Sequence, residues 1–348
     1  MQKNYLILAH RNPEQLCQMI KALDDGNSKF FIHLDAKTPI EPFTSQLQGE
    51  HIVFIPQRER CVWGGFSIVI ATIYLMEAAA KAHSKGFFIL MSGQDYPIKP
   101  ITELDTFLQE NKEYDFMSFL PLEVWGNWSN KMVKDKLKHY QILHSERRGN
   151  SDCYPPFFRS SIGQKITILW HLLKRRISKK NFKIIYKAQE RKAPFIQQYA
   201  GSQWWAFCEK TFYTLLTYIQ ENRQILDDYF QYTSCPDEIY FQSILVNLQT
   251  THKDIKIKPS LTYVNWERKG VELPVLFKED DFEELTSQKE KFFARKFDTK
   301  VDVEILNKLD NENHTNIHKR ICTPSAFGSR RNRFFLQKIC NCSFRKGL

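Results

Sequence analysis

The sequence predicts an α/β protein whose sheet is flanked by helices, and three observations carry that prediction. Tyr5–Ala9 is a short apolar strand, Pro13 opens a helix-period segment through about Leu23, and Lys29–Leu34 is a second apolar strand. Strand, helix and strand over so short a span is how a parallel sheet begins, because parallel neighbours need a crossover between them. The 348 residues are 42% apolar and 26% charged, ordinary for a globular chain. They suffice for one large domain or two modest ones.

The elements then read in order. In the first helix Leu16, Met19, Ile20 and Leu23 recur at helical spacing, and Pro13 suits a first turn, where a missing amide is no loss. Ligands of such sheets bind at the carboxyl ends of strands. His10, after the first strand, and Asp35, after the second, are therefore candidate contacts, and Asp35 reads equally as a turn cap. Ile52–Ile55 is a third strand. Cys61-Val62-Trp63-Gly64-Gly65-Phe66-Ser67 precedes a long helix to about Ala82; its tandem glycines permit a tight turn or close approach of backbone to a ligand. The spacing matches neither GxxxxGK[ST] nor GxGxxG. Phe87–Met91, a fourth strand, delivers Ser92-Gly93-Gln94-Asp95-Tyr96-Pro97 at its end, and Phe116–Phe119 is a fifth. A metal-dependent nucleotide-sugar site would place an Asp-x-Asp pair in such a loop. Only Asp95 stands there, so no metal is expected.

Helices and a mobile loop are expected between about Glu123 and Ala193. Within it Ile166–Lys180 reads as one amphipathic basic helix, packed on the core or resting on an anionic membrane surface. Gly201–Phe207 is a strand with adjacent Trp204 and Trp205. Neighbours on a strand face opposite ways, so one suits the core and the other a pocket for a sugar ring. A helix follows from about Lys210 to Asn222. Ser260–Trp266 is a strand leading to Glu267-Arg268-Lys269-Gly270, and a short helix covers Val301–Leu309.

Between these lies Cys235–Leu245, CPDEIYFQSIL. Pro236 or Asp237 can start a helix, with Glu238 in its first turn. An acid there is either a helix-dipole partner, worth a few tenths of a kcal/mol, or a general base held on a rigid element. Two basic clusters downstream, Arg268-Lys269 and Arg295-Lys296, could hold a diphosphate without a metal.

Composition narrows the partners. The net charge of +11 favours an anionic one: nucleotide, nucleic acid or membrane surface. The basic residues concentrate between Lys165 and Lys192, and Lys319–Leu348 contains no acid. They follow no RNP-like or helix-turn-helix pattern, so no nucleic acid partner is expected. The eight cysteines show no paired CxxC, which argues against structural zinc. The apolar run in MQKNYLILAH is too short for a signal peptide or a membrane span, so a cytoplasmic location with reduced thiols is expected, with contact at the membrane's inner face through the basic helix and tail.

Taken in order, YLILAH, FFIHLDAK, WGGFS, LMSGQDYPI, GSQWWAF, CPDEIYFQS, YVNWERKG and FARKFD resemble glycosyltransferase family 14, the core-2/I-branching β-1,6-N-acetylglucosaminyltransferases and peptide O-xylosyltransferases, in a bacterial-type form. The stretches span about residues 5–300. The resemblance implies a GT-A-type fold, a Rossmann-like mixed sheet flanked by helices. It divides the chain into a catalytic domain over 1–310, with a nucleotide-binding half to 120 and an acceptor and catalytic half after it, and a basic extension over 311–348. It implies an inverting glycosyltransferase that works without a DxD-bound metal and needs no cofactor beyond its UDP-sugar. Glu238 would be the catalytic base. Lys296 would bind the donor diphosphate, with Arg268 or Lys269 as a second cation. Asp35 would contact the nucleoside, and Trp63, Gly64 and Asp95 would border the donor site with His10 at the adjoining strand end. Trp204 and Trp205 would lie near the acceptor sugar.

GlcNAc or xylose is the sugar the family suggests, and a surface polysaccharide or lipid-linked glycan the acceptor. Three rivals stand beside this reading: xylosyl transfer to a peptide serine, a catalytically inert sugar-binding relative, and a nucleic-acid binder. Intact Glu238 and Lys296 argue against the second.

Overall fold

The computed structural model describes residues 1–125 and 128–322. Twelve strands are described: β1 (Lys3–Ala9), β2 (Ser28–Leu34), β3 (Ile52–Phe54), β4 (Phe87–Ser92), β5 (Asp95–Pro97), β6 (Tyr114–Pro121), β7 (Tyr140–Leu143), β8 (Ser151–Tyr154), β9 (Tyr199–Phe207), β10 (Lys256–Lys258), β11 (Thr262–Val264) and β12 (Phe293–Arg295). Seven of them form one sheet in the order β10-β6-β9-β4-β1-β2-β3. β1 is parallel to β2 and β4, β2 to β3 and β10 to β6, while β9 runs antiparallel between β4 and β6. The sheet is therefore mixed, the arrangement expected of a GT-A-type fold.

Side-chain alternation along the strands builds a core on each face. Tyr5, Ile7 and Ala9 of β1 join Phe30, Ile32 and Leu34 of β2 in one cluster, together with Leu16, Met19 and Ile20 of the helix Pro13–Leu23. Leu6 and Phe31 point the other way, onto the helices Ser67–Lys81, Glu209–Glu221 and Tyr240–Leu248. Both faces of a sheet covered by helices is what makes β1 and β4 continuous apolar runs.

Three expectations need correction. Ile166–Lys180 is not one helix: a helix Ile162–Leu173 ends at Lys174, Arg175 adopts a left-handed φ of 56°, and a second helix, Lys179–Lys187, starts with Ser178 as its cap. The last helix is not confined to Val301–Leu309 but runs Glu304–Cys322 across the expected start of the basic extension. Its Asp310 accepts from Tyr96 Oη at 2.8 Å, which ties that start to β5. Phe327, Phe334, Phe335 and Phe344 lie outside the described residues. The third correction concerns Glu238 and is taken up with the site.

Strand β9 departs from simple alternation. Met117 pairs with Trp205 but Phe119 pairs with Gly201, so extra β9 residues bulge between those pairs. Two of the bulge carbonyls are satisfied by side chains, Gln242 Nε2 donating to Ser202 O at 2.8 Å and Ser260 Oγ to Trp204 O at 3.0 Å. Gly201 permits the strands to close, since a Cβ there would lie 1.8 Å from the Ser118 carbonyl oxygen. Gly201→Ala is expected to cost at least the ~1–3 kcal/mol of ordinary overpacking, read as a lowered denaturation midpoint. An unchanged midpoint would show that β6 and β9 yield there.

Candidate active site

The sharpest link between distant motifs is a backbone one. Cys235 sits in the left-handed region with φ 50°, and its N–H donates to the Gly64 carbonyl at 3.0 Å. Gly64 is itself left-handed, with φ 69°, and a Cβ there would meet Cys235 Sγ at 3.3 Å. The WGG loop and the CPDE segment are thus built against each other, and the glycine is required by conformation and by contact.

Pro236–Glu238 then forms a single 3₁₀ turn, closed by Ile239 N–H donating to Pro236 O at 3.0 Å. Ile239, with φ −130°, interrupts the chain before the helix Tyr240–Leu248. Glu238 is therefore not in the helix's first turn, as its sequence position suggested. It sits on a turn of its own, pinned between a left-handed cysteine and a buried helix.

Both acids are half-buried. Asp237 Oδ1 is buried without a hydrogen-bond partner. Burial pushes Asp237 up to about 6, against the pull of the Lys136 and Arg295 charges. Burial, and the Asp237 charge beside it, push Glu238 up to about 7, again opposed by Lys136. Lys136, from the helix Asn130–Lys138, was not singled out by sequence. It is buried, donates to Ser234 O at 2.8 Å and lies 3.9 Å from the centroid of the Trp128 ring. Two adjacent carboxyls with raised pKa values, one of them with an unpartnered oxygen, are fit to take up a proton near neutrality.

Arg295, expected only as part of a basic cluster with Lys296, has a defined partner of its own. Pairing of β12 with β5 sets Arg295 opposite Asp95, and Nη1 donates to Asp95 Oδ1 at 2.8 Å. The other Asp95 oxygen accepts from Ser92 N–H at 2.8 Å. Burial raises the Asp95 pKa, and Arg295 opposes that. The guanidinium also lies 4.6 Å from the centroid of the Trp204 ring, which the β9 bulge presents to it. Asp95 thus anchors Arg295, and Trp204 covers it. Both tryptophans are buried in one core cluster rather than open to a sugar ring, Trp205 stacked on Phe207 at 4.2 Å.

Lys296 follows directly. Its ammonium is within 3.7 Å of Glu272, and Glu272 also accepts from Arg148 at 3.2 Å. Arg148 comes from the β7–β8 connection and stacks 4.8 Å from the Trp63 ring centroid. Burial, with the Arg148, Arg295 and Arg11 charges, lowers the Lys296 pKa, and Glu272 opposes them. Glu272 is 76% exposed, so the anion now answering these cations is a surface side chain. Clustered cations answered by one exposed carboxylate make an anion site.

At the sheet's carboxyl edge Asp35 is buried and does cap its turn, accepting from Lys37 N–H at 2.8 Å. The Lys37 ammonium lies 3.5 Å from its other oxygen and donates to Cys61 O. The Cys61 thiol is pushed up to about 12, mainly by burial, with the Asp35 and Asp237 charges adding to it. The His10 pKa is lowered by burial and by the Arg11 and Arg295 charges, against the pull of Asp35. Arg268 is not brought to this group: its guanidinium bridges Asp281 and Glu284 at 2.7 and 2.6 Å. Lys269 is exposed beside Gly270. Among the described residues no group of three or more His, Cys, Asp or Glu side chains is arranged to hold a metal ion.

Residues 4–150 match the family model described as Core-2/I-Branching enzyme. The chain is 26% identical over 336 residues to xylosyltransferase 2 of Pan troglodytes and of Homo sapiens, covering 88% of this chain and 33% of each relative. It is 23% identical over 325 residues to xylosyltransferase 1 of Homo sapiens, covering 88% of this chain and 29% of that protein. The chain therefore spans about a third of the length of these curated relatives. Residues 4–150 are thus similar to core-2/I-branching enzymes, and most of the chain is similar to part of the xylosyltransferases.

Proposed function

We propose that the chain transfers a sugar from a UDP-sugar to a hydroxyl of a glycan acceptor, with inversion at the anomeric carbon. The observation that carries this reading is the backbone joint between the Gly64 and Cys235 loops, which ties the Asp237–Glu238 turn to the loop whose Trp63 stacks on Arg148, a cation that shares Glu272 with Lys296. The acceptor oxygen attacks the anomeric carbon as the bond to the diphosphate breaks. The bonding pair leaves with UDP, and the hydroxyl proton passes to Glu238. A carboxylate in that role contributes typically about 10²–10⁴-fold.

Charge growing on the departing diphosphate needs fixed cations or a metal. Lys296 and Arg148 are the proposed pair, because both now rest on the exposed Glu272, whereas Arg268 is committed to Asp281 and Glu284. Arg295 orients the floor of the site through Asp95 and Trp204 and adds its charge. Lys136 keeps the Asp237–Glu238 pair from rising further.

The relatives named xylosyltransferase favour UDP-xylose, and UDP-N-acetylglucosamine is the second donor to compare. A panel of UDP-sugars scored for thermal stabilisation and for hydrolysis, with and without EDTA, tests the reading. One UDP-sugar is expected to stabilise and turn over at a rate EDTA leaves unchanged. Strict dependence on Mn²⁺ or Mg²⁺ would refute the fixed-cation part, and no response to any UDP-sugar the whole. Glycan and serine-peptide acceptors offered with the best donor separate the two acceptor classes.

A further inference from the structure

The two helices that replace the single expected one do not bury their apolar side. In Ile162–Leu173 only Ile168 is buried. Ile162, Ile166, Leu169, Trp170 and Leu173 fall within an arc of about 100° at helical periodicity. They are between 47% and 79% exposed. Phe158, 63% exposed, stacks edge-on with exposed Tyr186 and continues the stripe. Single exposed apolar residues are ordinary; a contiguous stripe with a tryptophan in it marks a surface that meets something.

What it meets is limited by charge. Between Cys153 and Gln189 there are nine Lys and Arg residues and no Asp or Glu. Lys174 lies 4.7 Å from the Trp170 ring centroid, and exposed Lys179, Lys180 and Lys183 follow on the second helix. Among the described residues Arg176 alone of these pairs with an acid, Asp152 at 2.6 Å. Asp152 also accepts from Tyr154 Oη, whose oxygen is 2.8 Å from His171 Nδ1. With Ile142, Tyr154, Ile168, Ile177 and Ile185 buried beneath, the stripe is held at a fixed angle on the β7–β8 hairpin.

We infer that this face is a docking surface for an anionic lipid bilayer. An exposed apolar stripe flanked by lysines and arginines lets the apolar groups enter the acyl boundary while the cations meet lipid phosphates. A second copy of the chain would bring the same positive charge, and the acid-free segment from Lys319 would repel it too. Among the described residues no helix is long and apolar enough to cross a membrane, so the contact is with the surface. Docking is independent of the transferase reading, but the hairpin that carries the stripe also carries Arg148.

Flotation of the full chain with phosphatidylcholine vesicles, with and without phosphatidylglycerol, tests this. Wild type is expected to float with the anionic vesicles at low salt, less at high salt, and not with neutral ones. The double variant Leu169→Glu/Leu173→Glu is expected to stay at the bottom. Lys179→Glu/Lys180→Glu should bind weaker by on the order of tenfold or more. All four positions are exposed, so melting temperatures should match wild type and exclude misfolding. Wild type failing to float with anionic vesicles at low salt overturns the inference. So does flotation unaffected by the variants, or a dimer in sedimentation that the leucine variants abolish while flotation persists.

Discussion

Replacing Glu238 with glutamine is expected to lower turnover by about 10²–10⁴-fold while UDP binding stays as in wild type. The amide keeps the shape of the side chain but cannot accept the acceptor's proton. Transfer within tenfold of wild type would remove Glu238 from the base role. The pH profile makes the same point from another side. The base works only when ionised, so the wild-type rate should climb through an apparent pKa near the value of about 7 to which burial and Asp237 push Glu238, a value belonging to the carboxyl pair. Stability runs the opposite way. A carboxyl whose folded pKa is raised contributes fully below its unfolded pKa and loses that contribution as pH rises through the folded one. Glu238→Gln should therefore melt with wild type in acid and above it past about pH 7. A variant that is slower but more stable in base is the signature of a desolvated catalytic base, which a mere helix cap would not give.

The sheet was legible because periodicity and strand-end chemistry act locally. The helix Pro13–Leu23 was expected with the same bounds, and β1, β2 and β4 differ by a residue or two at their ends. What the sequence hid depends on tertiary contacts. Nothing in WGG or CPDE says that Gly64 accepts from Cys235. Nothing near Trp204 announces a bulge, which needs the register of β6 to be seen. Arg295 was overshadowed by Lys296, although a cross-strand pairing with Asp95 gives it as large a part in the site. The basic segment failed differently. Its helical period is real, but period says which residues share a face and not what that face touches. Helix break and outward stripe both follow from a small satellite core that accepts only one isoleucine of the first helix and leaves the rest in solvent.

Lys296→Ala is the second large effect expected, a loss of about 10²–10³-fold in turnover, as for other fixed groups that stabilise developing charge. UDP binding should weaken with it, unlike in Glu238→Gln, because Lys296 is proposed to meet the diphosphate in ground and transition states alike. The surrounding charges predict the signs of two companion variants. Arg148→Ala removes a more exposed cation and should weaken UDP binding less than Lys296→Ala does. Glu272→Gln removes the carboxylate within 3.7 Å of Lys296 and 3.2 Å of Arg148, the anion that UDP would have to displace, and should tighten it. Calorimetric titration of UDP into the three variants reads all of this directly. If Glu272→Gln binds UDP no more tightly than wild type while Lys296→Ala binds it weakly, the lysine is the diphosphate ligand and Arg148 is only a support for Trp63. If Lys296→Ala binds UDP as wild type does, the clamp lies elsewhere. Arg295 and Arg11 would then be the cations to change next, since both bear on the same lysine and each is already oriented by a carboxylate, Asp95 or Asp298.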